Sequence, residues 1–178
     1  MKKGSELEQI IAGCQAGESE SFRELIDRFA KPCYGYFYRV TGNREISDEL
    51  LSELFAKLVS GIRSYKGGSF ESWLFRIASN VFYDHLRAKQ KQNKLLEVRR
   101  QQLLETKPVE QKKSDIEQLD NLQIKLNKLD TDTRELIMLR YYSQLSFKEL
   151  AKMRGEPIGT TLAKVHRGLK KLRELMEQ

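Results

Sequence analysis

A chain of 178 residues, 39% hydrophobic and 32% charged, has length for one domain or two small ones and the composition of a soluble helical protein. Its 3 Pro and 11 Gly exclude collagen-like and low-complexity classes, and no apolar run approaches the roughly 20 residues that span a bilayer. The net charge of +7 is uneven: residues 1–90 carry 13 Lys+Arg against 12 Asp+Glu, or +1, and residues 91–178 carry 19 against 13, or +6. That asymmetry favours a polyanion partner for the second half.

The opening MKKGSELEQ lacks the apolar segment of a signal peptide, which predicts a cytoplasmic protein. Leu7, Ile10, Ile11 and Cys14 mark a first short helix, and Phe22, Leu25, Ile26, Phe29 and Cys33 a second. Pro32 predicts a kink or break in that second pattern, before the aromatic run Tyr34, Tyr36, Phe37, Tyr38 and a stop at TGN, residues 41–43. A third helix carries Ile46, Leu50, Leu51, Leu54, Phe55, Leu58, Val59 and Ile62 and closes on SYKGGS. A fourth starts with Ser69 as its N-cap. Cys14 and Cys33 lack both CxxC spacing and neighbouring histidines, so they predict small buried residues rather than a zinc site or a disulfide.

From Lys91 the composition turns to Lys, Gln and Glu, with Lys-Pro at 107–108 and no aromatic residue, which reads as a polar linker. Helical periodicity resumes with Leu119, Leu122, Leu126 and Leu129, then with Leu136, Leu139 and Tyr142. The predicted fold is all-α: two small helical domains, 1–93 and 119–178, joined by a linker at 94–118.

The chemistry concentrates near the C-terminus. Ser146-Phe-Lys-Glu149 has capping-box spacing, Gly155 suits the left-handed residue that ends a short helix, and Pro157 suits the first turn of the next. Together they make a helix-turn-helix. At about 100° per residue, Ile158, Leu162, Val165, Leu169, Leu172 and Met176 of the second helix fall within about 40° of one line and predict its core stripe. Thr160, Lys164, Arg167 and Lys171 fall opposite, the donor set a recognition helix offers to phosphates and base edges. Charge alone would equally fit a solvated surface helix; the capped helix and turn ahead of it favour DNA.

LDTDTRELIMLRYYSQLSFKELAKMRGEPIGTTLAKVHRGLKKLRE, Leu129 to Glu174, resembles region 4 of bacterial sigma factors of the extracytoplasmic-function (ECF) group, through Arg134, Arg140, Tyr141, Ser146, Glu149, Ala151, Gly155, Pro157, Gly159, Thr160, His166 and Arg167. GSFESWLFRIASNVFYDHLR, Gly68 to Arg87, resembles the promoter-melting part of region 2 of the same sigma-70 family, and FRELIDRFAKPCYGYFYRVTGN its opening helix. Nothing between them is large enough for a region 3 domain.

The resemblance implies a sigma factor that binds the β′ and β subunits of core RNA polymerase and promoter DNA, with an anti-sigma factor as a further partner and no stable homo-oligomer. It implies that region 4 reads the −35 element through Thr160, Lys164, Arg167 and Lys171. Region 2 would hold the opened −10 element through Arg76, Asn80, Tyr83 and Arg87, on the polar stripe of the Ser69 helix, with Trp73 in the core. Glu49, Ser52 and Glu53 of the third helix would face the polymerase.

Four places depart from the family wording. Ser52 stands where glutamine is usual, Arg154 and Glu156 replace apolar residues flanking the turn glycine, and Thr161-Leu162 replace an apolar and often a basic residue. Leu162 is expected to pack and Thr161 to sit at the edge of the stripe. No catalytic constellation, metal site or cofactor motif occurs, so a non-enzyme with no cofactor is expected. The rival readings are a helix-turn-helix regulator that works without polymerase, and a degenerate sigma-like protein that does not open promoters.

Overall fold

The computed structural model describes residues 2–103 and 120–177. Most of the expected linker, including its Lys-Pro, lies outside the described residues. Eight α-helices and no strand occur among the described residues. The first four are α1 (Lys2–Ala16), α2 (Ser19–Thr41), α3 (Arg44–Gly61) and α4 (Phe70–Leu103), with a 3-10 turn at Ile62–Ser64. The last four are α5 (Asn121–Leu126), α6 (Thr131–Ser143), α7 (Phe147–Arg154) and α8 (Ile158–Met176). The polar segment expected from residue 94 therefore begins as helix, because α4 runs on to Leu103.

The local signals act where expected. Asn43 caps α3 by accepting from the Ile46 amide at 2.8 Å, and the Ser69 hydroxyl accepts from the Ser72 amide at 3.0 Å at the start of α4. Ser146 and Glu149 form the full capping box of α7, which ends on Gly155 at φ 66°. Pro32 is the exception, since α2 runs unbroken through it. A proline inside a helix costs about 3 kcal/mol. Leu25, Phe29, Cys33, Tyr36, Phe37 and Val40 are all buried along one face of α2, and at roughly 1.5–3 kcal/mol for each large apolar side chain their burial outweighs that cost.

In the N-terminal unit, α2, α3 and α4 surround Leu25, Leu54, Leu58, Leu74, Phe75 and Phe82, and Phe70 packs among the tilted and edge-on rings of Phe29, Tyr65 and Trp73. Trp73 thus packs against the core, as expected. Cys14 and Cys33 are free and buried, and burial pushes the Cys33 thiol up to about 12, so it stays protonated.

The two units pack on one another rather than standing apart, chiefly through α2 against α6. Gly35 of α2 makes this approach possible: a Cβ there would lie 2.5 Å from the Tyr142 ring of α6. At one rim Arg39 pairs with Asp120 at 2.8 Å, while the Gln123 amide donates to the Arg39 carbonyl at 3.1 Å. One buried apolar cluster consequently includes residues of both units, from Ile10 to Val165.

Candidate nucleic-acid interface

Helix α8 is rotated from its sequence expectation. Val165 is buried and Leu172 packs against the core, but Ile158, Leu162, Leu169 and Met176 are 39–48% exposed. The buried line instead includes Thr161 and Gly168, about 60–80° around the helix. Close approach to α6 causes the turn: a Cβ on Gly168 would lie 2.3 Å from Thr133 Cγ2 and 2.8 Å from Ile137 Cδ1. Where two helices cross this tightly, the smallest side chains take the contact and bulkier leucines are left at the edge. The expected packing of Leu162 and edge position of Thr161 are therefore reversed.

The rotation divides the four expected −35 residues. Thr160, Arg167 and Lys171 are exposed, and Arg167 Nε donates to the Ala163 carbonyl at 3.3 Å, which aligns the guanidinium along the helix. Lys164 does not face squarely outward as expected: it is half-buried, pairing with Glu156 at 2.7 Å and Asp132 at 2.9 Å. Thr161 Oγ1 donates to the other Glu156 oxygen at 2.8 Å. Partial burial pushes the Glu156 carboxyl up, but the hydrogen bonds from Lys164 and Thr161 hold it below the usual carboxylate range.

On α4, Arg76, Asn80 and Arg87 are exposed, with Arg87 paired to Asp84, whereas Tyr83 is half-buried. Tyr83 accepts from Arg154 Nη1 at 3.1 Å, and the Arg154 guanidinium carbon lies 5.3 Å over its ring. Arg76, Ser79, Asn80 and Tyr83 form one wall of a cleft of about 220 Å³; Met153, Arg154 and Glu156 form the other. On α3, Glu49, Ser52 and Glu53 are all exposed; Glu53 pairs with Lys57 at 2.8 Å, and Lys57 reaches Asp84 of α4 at 3.6 Å.

Sequence reasoning missed Glu135. This carboxylate is fully buried between the two units, with Oε1 accepting from Tyr36 of α2 at 3.0 Å and Ser79 of α4 at 2.7 Å. Arg154 pairs with Oε2 at 3.1 Å and also with Asp132. Burial pushes the Glu135 carboxyl up to about 7, against the downward pull of the Ser79 and Tyr36 hydrogen bonds. Burial and the adjacent Glu135 hold the Tyr36 hydroxyl well above its ordinary range, so it remains a donor. One sequence signal could have found Glu135: it lies four residues before Leu139 and seven before Tyr142, on an otherwise apolar line of α6.

A helical unit carrying a polar stripe on α4, followed by a helix-turn-helix with an outward cationic row, is the arrangement of the sigma-factor class. The family model for sigma-70 region 2 matches residues 25–92, and that for sigma-70 region 4 matches residues 119–172. The chain belongs to the sigma-70 family, in its ECF group.

The ECF RNA polymerase sigma factor BldN of Streptomyces coelicolor is 28% identical over 94% of this chain and 65% of its own length. The ECF RNA polymerase sigma factor SigE of Mycolicibacterium smegmatis is 30% identical over 88% of this chain and 62% of its own. The chain thus spans a little under two thirds of the length of these two relatives. In fold it is similar to the sigma factor RpoE of Bartonella quintana, solved in complex with the anti-sigma factor NepR, at a TM-score of 0.69 and 22% identity over 89% of this chain and 98% of that one. Among the described residues no helix is long and apolar enough to cross a membrane, and no group of three His, Cys, Asp or Glu could hold a metal ion.

Proposed function

We propose that this protein binds core RNA polymerase in the cytoplasm and directs promoter-specific initiation, reading the −35 element with α8 and the opened −10 element with α4. Nucleotidyl transfer belongs to the polymerase. In this reading Thr160, Arg167 and Lys171 contact the −35 duplex, with Lys164 a lesser contributor. Arg76, Asn80, Tyr83 and Arg87 hold the displaced strand, Tyr83 by stacking and the arginines through phosphates. Glu49, Ser52 and Glu53 meet the β′ subunit. The domain limits proposed are 1–93 and 119–178.

The observation that carries the proposal is that both DNA-directed surfaces occur in one chain, each within a segment matched by a sigma-70 model. A helix-turn-helix regulator working alone has no use for the α4 stripe. An anti-sigma factor is part of the proposal, suggested by the RpoE structure being such a complex. The test is transcription by purified core enzyme from the genome's own promoters: added protein should produce promoter-specific transcripts, and their absence would refute the reading.

A further inference from the structure

We infer that Gln15 of α1 is a positioning residue for −10 recognition: it fixes the shape of the loop from Tyr65 to Ser69, beside the head of the α4 stripe, and so decides which base the stripe accepts there. The inference rests on the functional reading of that stripe and adds to it a residue outside both matched segments, 25–92 and 119–172.

Helix α1 is anchored before Gln15 is reached. Ile10, Ile11 and Cys14 are buried, Arg28 of α2 pairs with Glu6 at 3.7 Å, and a Cβ on Gly13 would lie 2.1 Å from Ser21 Oγ, so α1 and α2 touch closely where the chain turns. Gln15 projects from the last turn of this fixed helix. Its Nε2 donates to the Ile62 carbonyl at 3.1 Å and to the Tyr65 carbonyl at 2.9 Å, 47 and 50 residues further along the chain. The Ile62 carbonyl also closes the 3-10 turn by accepting from the Tyr65 amide at 3.1 Å, so one side chain holds both ends of that turn. Both hydrogens of the primary amide are used, and a carboxylate of the same shape could give neither bond.

From Tyr65 the constraint passes to α4. The Tyr65 hydroxyl donates to the Gly68 carbonyl at 2.7 Å, and its ring stands edge-on to Phe70 and tilted to Trp73, each at 5.5 Å. At about 100° per residue Trp73 lies between the buried face of α4 and the stripe, next to Arg76 and Asn80. The loop therefore borders the stripe at its N-terminal end.

Gly67 and Gly68 take φ 99° and 97°, where other residues rarely go, and a Cβ on either would meet nothing within 4 Å. With exposed Lys66 beside them, they leave open backbone groups and a cation, which suit a base edge and a phosphate. Two glycines impose little shape of their own. The loop keeps one shape because Tyr65 is held on both sides, by Gln15 through its carbonyl and by α4 through its ring.

The test is transcription by core enzyme with the full-length protein on templates in which each −10 base of one promoter is changed in turn. Gln15→Leu and Gln15→Glu should flatten the preference at one or two neighbouring −10 positions by about fivefold or more, the discrimination that one base contact supplies. The other −10 positions should stay as selective as before. Tyr65→Phe, which keeps the ring and loses the bond to Gly68, should flatten the same positions. A ratio between templates does not depend on how much protein is folded, so a Gln15 that only stabilised the chain would lower all transcripts together. Hydrogen exchange of the free protein should also quicken within residues 62–72 in Gln15→Leu.

Unmoved preferences in both Gln15 variants overturn the inference, as does a uniform loss on every template or unchanged exchange in the loop. Flattening at different positions in Tyr65→Phe overturns the route through the loop. An absence of promoter-specific transcripts from the wild-type chain refutes the functional reading and the inference with it; wild-type transcripts whose preferences Gln15 does not move refute the role of Gln15 alone.

Discussion

The two proposed DNA-reading surfaces differ in what already holds them. On α8, Thr160, Arg167 and Lys171 stand exposed and are positioned by the packing of their own unit, through Val165, Thr161 and Gly168 against α6. On α4, Ser79 and Tyr83 are engaged by side chains of the other unit. In the proposed reading a duplex would meet open side chains on α8, whereas Tyr83 of α4 is already engaged. A helix that reads a duplex needs only a rigid support, while aromatic and hydroxyl groups suited to an unpaired strand are also good partners for a neighbouring protein surface.

The largest expected break in this comparison is Gly168→Val. Its side chain would run into Thr133 and Ile137, so the C-terminal unit should lose about 1–3 kcal/mol of stability by overpacking. Denaturant unfolding would show that loss, and α4 should keep its fold. Arg167→Ala should weaken promoter binding by about 1–3 kcal/mol if a base edge is read, leaving polymerase binding intact. Gel-shift titrations on promoter and scrambled duplexes distinguish this from phosphate contact, which would weaken both equally.

Asn80→Ala acts on the other surface and should reduce transcription several-fold from closed promoters while sparing pre-melted ones. Equal effects on both templates would point to base reading in place of melting. Lys164→Ala should cost less than Arg167→Ala, under about 1 kcal/mol in promoter binding, because Asp132 and Glu156 already share its charge.

A pH dependence tests the contact between the two units. The Glu135 carboxyl is raised in the folded chain, so its contribution to stability is fully present below its ordinary value of 4.5 and is lost as pH rises through about 7. The groups facing it are Tyr36 from α2, Ser79 and Tyr83 from α4, and Arg154 from α7. Thermal unfolding should lose stability between about pH 5 and 8, and Glu135→Gln should flatten that slope.

Much of the fold was legible because it depends on short-range rules. Asn43, Ser69, Ser146 and Gly155 end helices by bonding or conformations that involve only near neighbours in the chain. The α2 break expected at Pro32 failed for the opposite reason, since the burial that carries the helix through depends on partners in α3 and α4. The α8 stripe failed in a related way. An apolar wheel shows which residues prefer burial, but the closeness of α6 decided that Gly168 and Thr161 would take the contact and leave Leu162 and Leu169 outside.

The sequence by itself determined an all-α chain with most of its helix ends and the two motifs that identify the family. Arg154, Glu156 and Thr161 were visible there as departures without a purpose. Only the tertiary structure brought Glu135 from α6 against Tyr36 and Ser79, and so placed Arg154 over Tyr83. Side-chain networks across 56 and 99 residues of separation leave no periodic trace, because each member needs only to be polar at one place, and that place exists only when the helices have met.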